Sequence, residues 1–144
     1  MKSWFALSVL LLCTDMAAAD TSTAAARARE WLALVDTARY AEAWAQTGTA
    51  LREGLDREAW SQRIRAARRS NSTVLCRKTI TLEPLADPAR TAAWFVTEFA
   101  DGQRISEKVT LSADHTQILG YRTGPAAADR GSPCAATTTP EPLR

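Results

Sequence analysis

The hydrophobic period of this chain changes once, near Ser70-Asn71-Ser72, and that change limits the folds open to it. Before it, apolar residues recur with helical spacing. After it they alternate in steps of two, as in half-buried strands. From Thr21 to about Ala38 the chain is alanine-rich, and Trp31, Leu34, Val35 and Ala38 fall at i, i+3, i+4 and i+7, one apolar stripe on a helix. A second, short helical piece carries Tyr40, Ala43 and Trp44 on one face. Thr47-Gly48-Thr49 interrupts it, because glycine weakens helices and threonine competes for backbone hydrogen bonds. Asp56 reads as the N-cap of a third helix with Trp60, Ile64 and Ala67 turned inward.

Beyond the switch, Val74, Cys76, Lys78, Ile80 and Leu82 alternate with Leu75, Arg77, Thr79 and Thr81, which predicts a strand. Pro84 to Pro88 reads as a connection. The aromatic and β-branched run from Ala92 to Ala100 predicts a central strand, and Asp101-Gly102 a hairpin. Ile105 to Ser112 alternates cleanly, Asp114-His115 makes a turn, and Gln117 to Thr123 closes the set. Four antiparallel strands in sequence order form a meander, and the three helices must cover its apolar face. The fold class is therefore α+β. From Gly124 onward the chain is rich in Pro, Ala and Thr, has little to bury, and reads as a flexible tail over 124–144.

The first nineteen residues have the layout of a signal peptide: Lys2, an apolar run from Trp4 to Cys13, then Ala17-Ala18-Ala19 as a small-residue cleavage site. That run is about half of the ~20 residues that span a bilayer. Cleavage after Ala19 leaves one domain over 20–123 plus the tail, with no transmembrane segment, placed in the periplasm or secreted. Loss of Lys2 and Asp15 leaves 17 basic and 15 acidic side chains, still a net charge of +2, too near balance for a nucleic-acid-binding protein. It also turns three cysteines into a pair, Cys76 and Cys134, and an oxidising compartment favours a disulfide between them.

The run WLALVDTARYAEAW (Trp31 to Trp44), the helix with Trp60 and its terminal arginines form one half of a pattern. The other half is a strand ending in Phe99, then Glu107-Lys108-Val109-Thr110-Leu111 and a closing Gly120-Tyr121. Together, over about Ala26 to Thr123, they resemble the bacterial secreted family named domain of unknown function 4019. The resemblance implies a layout similar to the cone-shaped fold of nuclear transport factor 2, a helical half packed on a curved antiparallel sheet. It implies no activity, cofactor or catalytic residue. This chain departs from the pattern at Arg68-Arg69-Ser70-Asn71-Ser72, where a glycine-containing turn is usual, and at Arg122-Thr123, where the last strand is usually more apolar.

Glu107 shares strand parity with Ile105, Val109 and Leu111, so it should face the covered side of the sheet. A carboxylate there is either a pocket acid or base with a raised pKa, or a structural glutamate, paired with an arginine from the helix end or with Arg122 or sitting at the open rim of the sheet. Arg65, Arg68, Arg69 and Arg77 form a basic stretch with two readings. One is a contact for an anionic protein or envelope lipid; the other is complementing a helix C-terminus on a solvated face. His115, the one histidine, stands beside a single Asp114, so no metal site is expected. Neither a G-x-S-x-G element nor a phosphate-binding glycine loop occurs, which leaves no cofactor expected. The sequence thus points to a non-catalytic binding or accessory module of unknown ligand. The rival readings are a small cavity enzyme using Glu107 and a structural envelope protein.

Overall fold

A computed structural model of the chain describes residues 15–68, 72–86, 89–128 and 131–135. The first helix, α1, spans Asp15–Asp36 and begins before Thr21, the alanines at 17–19 and 24–26 favouring helix on either side of the weaker Asp20-Thr21-Ser22-Thr23. Its buried stripe is Ala24, Ala28, Trp31, Leu32 and Val35, with Leu34 only partly covered. Ala38, expected on that stripe, lies outside the helix and is exposed. The helix stops in a left-handed turn: Ala38 has φ 57°, its N–H donates to the Val35 carbonyl at 3.2 Å, and the Arg39 N–H donates to the Leu34 carbonyl at 2.8 Å. These paired bonds are the Schellman cap, which usually places glycine where Ala38 stands.

Next come α2 (Tyr40–Ala45) and α4 (Arg57–Arg68), as the spacing predicts, with a single extra turn, α3 (Thr49–Arg52), between them. Asp56 caps α4, its Oδ1 accepting the Ala59 N–H at 2.7 Å. Gly48 does more than end α2. Its N–H donates to the Ile118 carbonyl at 2.8 Å, and a β-carbon there would lie 2.6 Å from Leu119 Cδ2. The hydrogen bond docks the α2–α3 loop on the edge of the sheet, with the Leu119 side chain packed over the bare Gly48 backbone.

The sheet is the predicted antiparallel meander, β1 (Val74–Leu85), β2 (Arg90–Phe99), β3 (Arg104–Ser112) and β4 (Ile118–Pro125), in that spatial order. β1 runs through Pro84, which the sequence assigns to a connection. An edge strand tolerates the missing N–H, since one side of its backbone has no partner strand. Register shifts after Val74 and after Thr79 also break the simple alternation of β1. The second places Leu82 opposite Ala93, on the face that Arg77 and Thr79 share, while Lys78 stays exposed on the other.

The helices cover one face of this sheet. Trp31, Trp60, Phe95, Val109, Leu111 and Ile118 are buried there in one cluster, with Trp44 packed against it. The rings meet edge to face: Trp44 with Trp60 at 5.4 Å, Trp60 with Trp31 at 6.4 Å, and Trp31 with Tyr121 at 5.3 Å between centroids. On the other face the chain beyond β4 is tied back. Cys134 is disulfide-bonded to Cys76, with 5.5 Å between their Cα atoms, and the Ser132 hydroxyl donates to the Glu98 carboxylate.

Candidate functional site

The chain of rings ends at a buried polar network. Glu107 is 0 % exposed, facing the helices as its strand parity requires. Its Oε1 accepts the Tyr121 hydroxyl at 2.6 Å. Its Oε2 accepts the Arg77 Nε at 3.0 Å and also the Thr97 hydroxyl. Register explains the convergence: Glu107 pairs with Phe95 on β2 and Thr123 on β4, and Thr97, Arg77 and Tyr121 lie one step away on the same face.

Arg77 continues the network toward the helices. Its Nη1 and Nη2 donate to the two carboxylate oxygens of Asp36 at 2.8 and 3.1 Å, and Asp36 Oδ1 also accepts Arg68 Nη1 at 2.5 Å. Two arginines face two carboxylates, so the buried charges cancel. Such a set is tolerated inside a protein only when its members are paired and hydrogen-bonded. Burial opposes the Arg77 charge, but the hydrogen bonds and charges of Asp36 and Glu107 outweigh it and hold the guanidinium protonated above its ordinary range. Burial, reinforced by the Glu107 charge, pushes the Tyr121 hydroxyl well above the usual tyrosine range.

The partner of Glu107 is thus an arginine of the first strand and not Arg122, which is exposed. The helix-end arginine Arg68 reaches the network one step removed, through Asp36. Of the basic stretch, Arg68 is a buried ion-pair member and Arg77 a largely covered one, whereas Arg65 is exposed with its guanidinium 5.1 Å over the Tyr40 ring. Arg69 lies outside the described residues. Asp36, Thr97 and Tyr121 were not singled out by the sequence. Inward parity was the available signal for Thr97 and Tyr121; Asp36 carried none, being an acid at a helix end.

His115 is buried in the β3–β4 turn with φ 57°, its Nε2 at 3.3 Å from the Thr91 hydroxyl. Asp114 beside it accepts the Ser112 hydroxyl at 2.6 Å and the Thr116 N–H at 3.1 Å. Those bonds, the Ser112 hydroxyl first, lower its carboxyl to about 2. Both residues serve the turn. Cys76, Glu98 and Cys134 are the one group of metal-ligating types brought together among the described residues, and both sulfurs are spent in the disulfide.

A cleft of about 290 Å³ opens beside Asp36 and Arg68, between the α1–α2 turn and the end of α4. A second, apolar groove of about 380 Å³ lies on the outer sheet face over Ile80, Trp94 and Val96. No helix among the described residues is long and apolar enough to cross a membrane.

A helical half laid on one face of a four-stranded antiparallel meander, joined to it by a neutral buried ion-pair network, defines a small α+β domain. The family model described as "Protein of unknown function (DUF4019)" matches residues 27–121, and the chain belongs to that family. No curated protein and no solved structure matches it.

Proposed function

We propose that the protein is exported from the cytoplasm, to the periplasm or beyond, and acts there as a non-catalytic binding or accessory module. The observation that carries this reading is the state of Glu107. Both its oxygens are engaged, by Tyr121 on one side and by Arg77 and Thr97 on the other, and the side chain is 0 % exposed, so the carboxylate is spent on structural partners and presents no face to a substrate. Trp31, Trp60 and Phe95 fill the space between sheet and helices that a cavity enzyme would need. Helices packed on a four-stranded meander are consistent with three N-terminal helices on a curved, cone-like sheet, the layout of nuclear transport factor 2, which we propose for this domain.

Export is supported by the signal-like segment at 1–19 and by the Cys76–Cys134 disulfide, a bond that persists in oxidising compartments. Cell fractionation with N-terminal sequencing tests it. The expected product lies outside the cytoplasm, begins at Asp20 and carries no free thiol. Cytoplasmic protein with two free thiols overturns export. A folded Glu107→Gln variant that loses a measurable turnover would overturn the non-catalytic reading.

A further inference from the structure

The cleft at the end of α4 combines two arginines in different states. Arg68 is 6 % exposed at its side chain, lies over the Phe99 ring at 5.3 Å, and donates through Nη1 to Asp36. A guanidinium carries five N–H donors. Among the described residues, Nε and Nη2 of Arg68 donate to no group, and the residue lines the cleft. Arg65, one helical turn earlier, stands on the same wall. It pairs with no carboxylate among the described residues, its face resting on Tyr40. Charge decides what could enter. Among the described residues, Arg68 and Arg77 are offset by Asp36 and Glu107, so Arg65 adds one positive charge in excess to the cleft wall. The Asp36 carboxylate in the wall is neutralised by two arginines. The nearby carbonyls of Leu34 and Val35 are already taken by the Arg39 and Ala38 N–H groups.

We infer that this cleft binds a compact oxyanion, a carboxylate or phosphate group, held between the Arg65 and Arg68 guanidiniums, with the Tyr40 ring backing the Arg65 guanidinium. Planar guanidinium forks match such oxyanions in geometry as well as in charge. A buried arginine held in place by Asp36 and Phe99 is preorganised for the contact, so ordering it on binding costs little. The inference deepens the binding-module reading and rests on it, naming the chemistry of the ligand and its place.

The test is an amide NMR titration of the mature chain with inorganic phosphate and with acetate, ionic strength held constant with chloride. Saturable shifts confined to Ala38, Tyr40, Ser72 and the end of α4 are expected. Arg65→Ala, at an exposed helix position, should weaken binding at least about fivefold without moving the melting temperature. Arg65→Lys should recover part of the loss. Unsaturable shifts spread over the surface, or an Arg65→Ala variant that binds as well as the parent, overturn the site.

Co-sedimentation with phosphatidylglycerol vesicles separates the sources. Retention that free phosphate displaces and Arg65→Ala abolishes assigns a lipid head group; saturable phosphate binding without retention assigns a free anion. A flat titration of protein that still co-purifies with a partner removes the oxyanion site and leaves the module. Turnover lost in a folded Glu107→Gln variant removes the module reading whatever the titration shows.

Discussion

Arg77 on the first strand holds Asp36, the last residue of the first helix, through two parallel hydrogen bonds of 2.8 and 3.1 Å. The contact joins the helical half of the chain to the sheet half. The same guanidinium reaches Glu107 through Nε, so one side chain bridges a helix end, an edge strand and the inner sheet. Removing any one member leaves an uncompensated charge among buried groups. That is why the network reads as a latch between layers.

Glu107→Gln should therefore destabilise the domain by about 3 kcal/mol, since it strands the Arg77 charge on that side. Urea denaturation monitored by tryptophan fluorescence measures the loss. Combining it with Arg77→Gln should cost at least about 1 kcal/mol less than the sum of the single changes, because the two side chains share one interaction. Strict additivity would mean that they act independently.

Alkaline pH should weaken the fold through Tyr121. Its hydroxyl is raised in the folded state, so the stabilisation is intact below the ordinary tyrosine pKa of about 10. Above that, the unfolded chain ionises there and the folded one does not. Stability then falls by about 1.4 kcal/mol per pH unit for that proton. Denaturation midpoints from pH 8 to 11.5 should show the slope. Tyr121→Phe should remove that contribution while lowering stability at neutral pH by about 2 kcal/mol through the lost bond to Glu107.

The disulfide closes a loop of 58 residues, for which loop-closure entropy gives about 4 kcal/mol. Cys134→Ser should lower the melting temperature and make it insensitive to reductant, whereas the parent should lose stability when dithiothreitol is added. Calorimetry on both proteins, with and without reductant, checks this.

Two helix ends offer opposite outcomes. Asp56→Ala removes the α4 cap and should cost about 1 kcal/mol. Ala38→Gly relieves a left-handed conformation at the end of α1 and should stabilise by about 0.5 to 1 kcal/mol. Thermal melts of the two variants should move in opposite directions.

Local chemistry made much of this protein legible from its residues alone. The period change near residue 70, the Asp56 cap, the Asp101-Gly102 turn and the alternation of β3 each state a backbone preference within a few residues. They sufficed for the α+β class, for strands in meander order and for the inward direction of Glu107. β1 was less legible, because its two register shifts depend on pairing with β2, and a strand's own pattern does not announce a bulge. Where the arginines went was hidden for the same reason. Arg65 and Arg68 sit one turn apart and look alike in the sequence, yet one lies exposed on Tyr40 and the other is buried against Asp36 and Phe99. Which cation is buried depends on a carboxylate 32 residues away that only the folded chain brings within hydrogen-bonding reach. The sequence by itself determined the order of helices and strands and the inward face of β3; the tertiary structure alone decided the face of β1 and which charges met, because pairing between distant residues is set by packing and not by local preference.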